Sequence, residues 1–95
     1  MEERIMTLHP QGKSGVNITR ERYDAVRDAI LCSLRDHGDM TFRGLTEDVR
    51  RRLEGRFDGS VSWYVTTVKL DLEARGTIER IPKKTPQRLR LTLPA

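Results

Sequence analysis

The sequence predicts an α+β domain of three helices followed by a two-stranded antiparallel hairpin. Three observations carry that reading. Three stretches repeat apolar residues at helical spacing. The third stops at Gly76, and the five residues that follow roughly alternate in polarity. Near the end, Leu89, Leu91 and Leu93 alternate with Arg88, Arg90 and Thr92, the period of a half-buried strand.

Residues 1–18 show no helical period and are read as an N-terminal arm ahead of a domain at 19–93. Ile5, Met6 and Leu8 suit a short strand or an apolar hook. His9-Pro10 ends it, because proline lacks a ladder donor and restricts the residue before it. Gln11 to Gly15 read as a flexible loop, and Val16 and Ile18 resume the apolar character. The arm is expected to lie over the domain or to reach a partner. Gly12-Lys13-Ser14 mimics the end of a phosphate-binding loop, but Thr7 stands where that motif needs glycine, so nucleotide binding is rejected. Asn17-Ile18-Thr19 is a formal glycosylation sequon, without a signal peptide to give it meaning.

Thr19 is placed to cap the first helix, with Glu21 near its positive end. Tyr23, Val26, Ile30 and Leu34 form one face. Cys32 falls inside this pattern, where a small buried hydrophobe is expected. His37-Gly38 closes the helix. Met40-Thr41-Phe42 suits a very short strand leading into a second helix, whose apolar face is Phe42, Leu45, Val49 and Leu53 and whose end is marked by Gly55. Arg50, Arg51 and Arg52 either contact phosphates or form a solvated face paired with Glu47, Asp48 and Glu54. Phe57 is expected to plug the core from the turn.

Ser60 caps the third helix, and Val61, Tyr64, Val65, Val68 and Leu72 form its buried face. Thr77–Ile81 and Arg88–Leu93 make the two arms of the hairpin. Pro82 and Pro86 bracket its tip, which holds Lys83 and Lys84, and Pro94 stops the last strand.

Ninety-five residues suit one small domain with a modest core. Charged residues make up 34% and hydrophobic ones 36%, with no run of membrane-spanning length, so a membrane role is not expected and a cytoplasmic location follows. The net charge is +4. Residues 1–76 balance, while the last 19 carry five basic residues against Glu79 alone, so the excess sits in the hairpin. That favours a polyanionic partner, or a solvated edge that resists aggregation. One cysteine and two histidines without ligand spacing imply no metal and no cofactor. The acidic residues read as scattered on solvated helix faces, so no enzyme is expected.

From Leu72, Glu73, Ala74, Arg75, Gly76, Thr77, Ile78, Glu79 and Arg80, followed by a charged hairpin, the chain resembles a stand-alone bacterial winged-helix (helix-turn-helix) domain over about residues 19–93. It resembles in particular members of small families without an assigned function. The resemblance implies a third helix entering the major groove of double-stranded DNA and a hairpin wing at the phosphates, as in transcription regulators. The residues it marks are Ser62, Thr66, Thr67 and Lys69 on the helix and Lys83, Lys84, Arg88 and Arg90 on the wing. At about 100° per residue, Trp63, Thr67, Leu70 and Ala74 point opposite to the buried face. Trp63 and Leu70 therefore mark an alternative, a protein-interaction or homodimer module without sequence-specific DNA binding. Cover by the arm, cover by another protomer, and exposure with stacking on nucleic acid all fit the second stripe.

Overall fold

Thr19 accepts a hydrogen bond from the backbone N–H of Arg22, and Gly38 closes the helix they bound at φ 78. This is α1, Arg20–His37, in a computed structural model that describes residues 2–83 and 85–92. Tyr23, Val26, Ile30 and Leu34 are buried, as their spacing requires. Ahead of α1 lie two strands, β1 (Arg4–Met6) and β2 (Asn17–Thr19). They pair antiparallel with Ile5 opposite Ile18. The strand at Ile5 was legible in the sequence; its partner, in a stretch read only as apolar, was not. Gly15 permits the closure. A side chain there would meet the Thr7 carbonyl oxygen at 1.7 Å, where no atom fits.

After α1, β3 (Met40–Thr41) leads into α2 (Phe42–Leu53). Thr41 does both jobs, ending the strand and accepting from Gly44 N–H as the helix cap. Gly55 follows with φ 76. Ser60 then caps α3 (Val61–Ala74) by accepting from Trp63 N–H. Beyond Gly76 come β4 (Ile78–Arg80) and β5 (Arg88–Leu91). Both are shorter than the sequence suggested. Leu93 and Pro94, expected in and just past the last strand, lie outside the described residues.

The fold is therefore α+β, three helices with two small antiparallel sheets. In the second sheet β5 lies between β3 and β4, with Met40 opposite Leu89 and Ile78 opposite Leu91. One core joins the helices to both sheets. Val26, Ile30, Leu45, Val49, Val65, Val68 and Leu89 are all fully buried in it, with Ile18 brought in from the N-terminal hairpin. Truncating such a residue to alanine typically costs about 2–5 kcal/mol, through lost transfer energy and the cavity left behind. Phe57 packs on the core from the turn, as its position suggested. Cys32 is only half-buried, beside Ala29 and Leu53. No helix of the described residues is long and apolar enough to cross a membrane.

Candidate functional site

The outer side of α3 holds half of the residues that the sequence marks, and its cap decides where they start. Ser62, Trp63 and Thr66 are exposed, and Thr67 and Leu70 are half-buried. Thr66 donates its hydroxyl to the Ser62 carbonyl, and Ser62 Oγ accepts from Arg50 of α2 at 2.9 Å. Trp63 stands against Tyr64 edge to face, with centroids 4.9 Å apart. Tyr64 in turn meets Phe57 edge-on, and the Arg22 guanidinium lies 6.0 Å from its ring. Trp63 is thus propped by a packed aromatic row and yet remains 47% exposed. The arm does not cover it: Ile5, Val16 and Ile18 turn to the core, and Leu8 is itself exposed.

Lys69 corrects an expectation. It was to face outward with Ser62 and Thr66, but it is 5% exposed. Its ammonium pairs with Glu73 Oε2 at 3.2 Å and lies 5.5 Å from the Phe42 ring centre. Burial lowers its pKa, and the Glu73 carboxylate opposes that shift. At helical spacing Lys69 belongs to the flank that α2 and the hairpin cover, and a long side chain there folds inward rather than out.

The wing's described basic residues come from β4, the turn after it and β5. Arg88 binds Asp39 at 2.5 Å, Arg90 binds Glu79 at 2.7 Å, and Arg80 binds Glu73 at 3.0 Å. Lys83 is exposed, with φ 64, a region that non-glycine residues seldom enter. Lys84 lies outside the described residues. The excess charge seen in the sequence is real, but three of its arginines each meet a carboxylate. Of the basic triplet, Arg51 and Arg52 both bond Asp48, and Arg52 also reaches Asp36. Arg50 alone turns to α3.

Three carboxylates do not sit on solvated faces as expected: Asp48, Asp71 and Glu73, the last with its side chain 7% exposed between Lys69 and Arg80. Asp48 is 7% exposed. Burial works against its charge, but Ser33, Arg52 and Arg51 outweigh that and hold its pKa down to about 2. Asp71 is fully buried. It accepts from the Tyr23 hydroxyl, from Arg75 Nε at 2.8 Å and from the Leu8 backbone N–H at 2.8 Å. Burial first, then the hydrogen bond to Asp71, pushes the Tyr23 hydroxyl up to about 12. Three partners, from the arm, α1 and the end of α3, meet at this carboxylate. The only hint in the sequence was an acidic residue one step from the buried face of the third helix.

A groove of about 480 Å³ opens between the N-terminal hairpin, the start of α1, the turn after α2 and the start of α3. Trp63, Tyr64 and Phe57 line it, with Arg4, Arg22 and Arg56 answered by Glu2, Glu21 and Asp58. Its charges balance, so nothing in it singles out an anion. Among the described residues no cluster of three or more His, Cys, Asp or Glu has metal-binding geometry.

A family model described as a family of unknown function (DUF6958) matches residues 4–89, the N-terminal hairpin included. No curated protein and no solved structure matches the chain.

Proposed function

We propose, for a chain that belongs to the family of unknown function DUF6958, a non-catalytic winged-helix module that binds another protein through the outer side of α3. The winged-helix reading is supported by the element order and by β5 lying between β3 and β4, which sets a hairpin wing beside α3. One observation carries the interaction reading. Trp63 stands 47% exposed on a helix side without an exposed charge, the kind of rigid aromatic anchor that dominates protein interfaces. With Lys69 folded inward, α3 offers a polyanion no cation of its own. The chain has a single tryptophan, so its emission reports the contact directly. Binding is expected to blue-shift that emission and to depend little on salt. If Trp63 emission stays unchanged with every protein partner and with rising concentration of the chain itself, the reading fails.

A second reading, duplex DNA binding in transcription regulation, is favoured by a different observation. Arg43 and Arg50 lie seven residues apart on the exposed side of α2, and Arg50 reaches Ser62. Among the described residues neither they nor Lys83 has a carboxylate at ion-pair distance. Ser62, Thr66 and Thr67 of α3 and Arg88 and Arg90 of the wing would supply the remaining contacts, the two wing arginines exchanging their carboxylates for phosphates. Duplex binding at low salt should weaken steeply as salt rises, with the logarithmic slope falling by about one for each phosphate contact removed. Arg43→Glu plus Arg50→Glu should abolish it. Unchanged binding by that pair, and by Lys83→Glu plus Lys84→Glu, would remove this reading. The two readings draw on the same side of α3, and salt dependence tells them apart.

A further inference from the structure

Among the described residues, the large hydrophobic side chains left exposed are Met6 at 57%, Leu8 at 45% and Trp63 at 47%. Distant in sequence, they share one face, because the first strand runs beside α3. Arg4 lines the same groove as Trp63 and Tyr64. Leu8 N–H is held by Asp71, two turns further along the helix. An extended chain covers about 13 Å from Arg4 to Leu8, and a helix advances about 10 Å from Tyr64 to Asp71. The two segments are thus matched in length and lie side by side. Thr7 is buried and Ile5 packs on the core, which turns Met6 and Leu8 outward. On the helix Trp63, Thr66, Thr67 and Leu70 complete the face. None of these side chains is ionised.

We propose that this face binds a second copy of the chain, with the two α3 helices antiparallel about a two-fold axis near Thr67. The proposal rests on the interaction reading above and names its partner. A two-fold contact sets a surface against itself, so the surface must be complementary to itself. Two chains of net charge +4 repel over most of their surfaces and meet at least penalty where few charges are exposed, Arg4 at the edge of this face being paired with Glu2. The ends of the stripe supply the orientation. Asp58, with a side chain 97% exposed and Arg22 at 3.5 Å, lies just ahead of α3, and Arg75, 40% exposed and bound to Asp71 at 2.8 Å, lies just behind it. Antiparallel packing brings each Asp58 toward the other copy's Arg75, whereas parallel packing opposes like charges. Thr67 lies at the middle of Val61–Ala74, so an axis there brings the ends into register and sets each Trp63 against the other copy's Leu70 and Leu8. Trp63 is already propped on Tyr64 and the Leu8 backbone is tied to Asp71, so little freedom of the Trp63 side chain or of the Leu8 backbone is lost on association.

Sedimentation equilibrium of the full chain, from micromolar to millimolar, tests this. The average mass should rise from 11.0 kDa toward twice that value. Trp63→Ala and Leu8→Ser should each weaken association about tenfold or more, while circular dichroism shows them folded, since both side chains stand at the surface. Thr67→Cys in a Cys32→Ser background should give a disulfide-linked dimer on mild oxidation, and Lys83→Cys in the same background should not. A wild-type chain that stays at 11.0 kDa throughout overturns the proposal, as does a dimer that neither substitution weakens or that Thr67→Cys cannot link. If the chain is monomeric but an immobilised sample retains another protein only when Trp63 is present, the second copy is excluded and the interaction reading stands. If neither occurs, both fall.

Discussion

Asp71 is where the residues of this protein depend on one another most closely. A fully buried carboxylate is costly unless its acceptors are filled, and here the Tyr23 hydroxyl, Arg75 and the Leu8 amide fill them. Tyr23→Phe removes one donor and leaves the charge in place, so it should cost about 1–3 kcal/mol in urea unfolding. Tyr23 also sets a limit in alkali. Its folded pKa of about 12 lies above the unfolded value near 10. The unfolded chain therefore loses this proton first, and the stability it contributes is intact below about pH 10 and falls away as pH rises toward 12. An absorbance titration should show a tyrosine ionising near pH 12 in the native protein, and none in Tyr23→Phe. A native titration with no tyrosine ionising above about pH 11 would contradict the burial.

The elements show why helices were easier to read than strands. Each helix carries its own start signal, since Thr19, Thr41 and Ser60 all accept from an amide three residues on. The passage from α3 into β4 turns on Gly76, whose φ of 77 is strained for any residue with a Cβ. A Cβ added there would meet nothing within 4 Å, so the cost is conformational and not steric. Gly76→Ala should lower stability by about 1 kcal/mol, read as a drop in Tm with unchanged circular dichroism. An unchanged Tm would mean that the turn tolerates a right-handed residue. The strands are two to four residues long and take their meaning from partners far away in sequence. β2 was missed for that reason: three residues hold too few alternations to signal a strand.

At the scale of the whole molecule, the N-terminal arm is part of the domain's structure. Ile18 is 4% exposed, and the Leu8 amide closes the Asp71 site. Deleting residues 2–16 should therefore cost several kcal/mol, roughly 2–4 from the apolar area uncovered and the donor lost. A truncated chain with the stability of the full one, in the same urea titration, would show that the arm only rests on the surface. By itself the sequence determined the three helices, their caps, the glycine that ends the third and the concentration of positive charge in the hairpin. Each of these follows from near neighbours or from a period. The tertiary structure alone decided which charges are available. Lys69 and Asp71 sit on the flanks of α3, and a period of 3.6 locates a flank without saying what covers it. Chain from α2, the hairpin and the arm covers both, so one lysine turns inward and one carboxylate becomes a junction. It likewise decided that Met6, Leu8 and Trp63 stay exposed and that the Leu8 amide reaches Asp71 near the end of α3, because contacts so distant in sequence form only when the core closes.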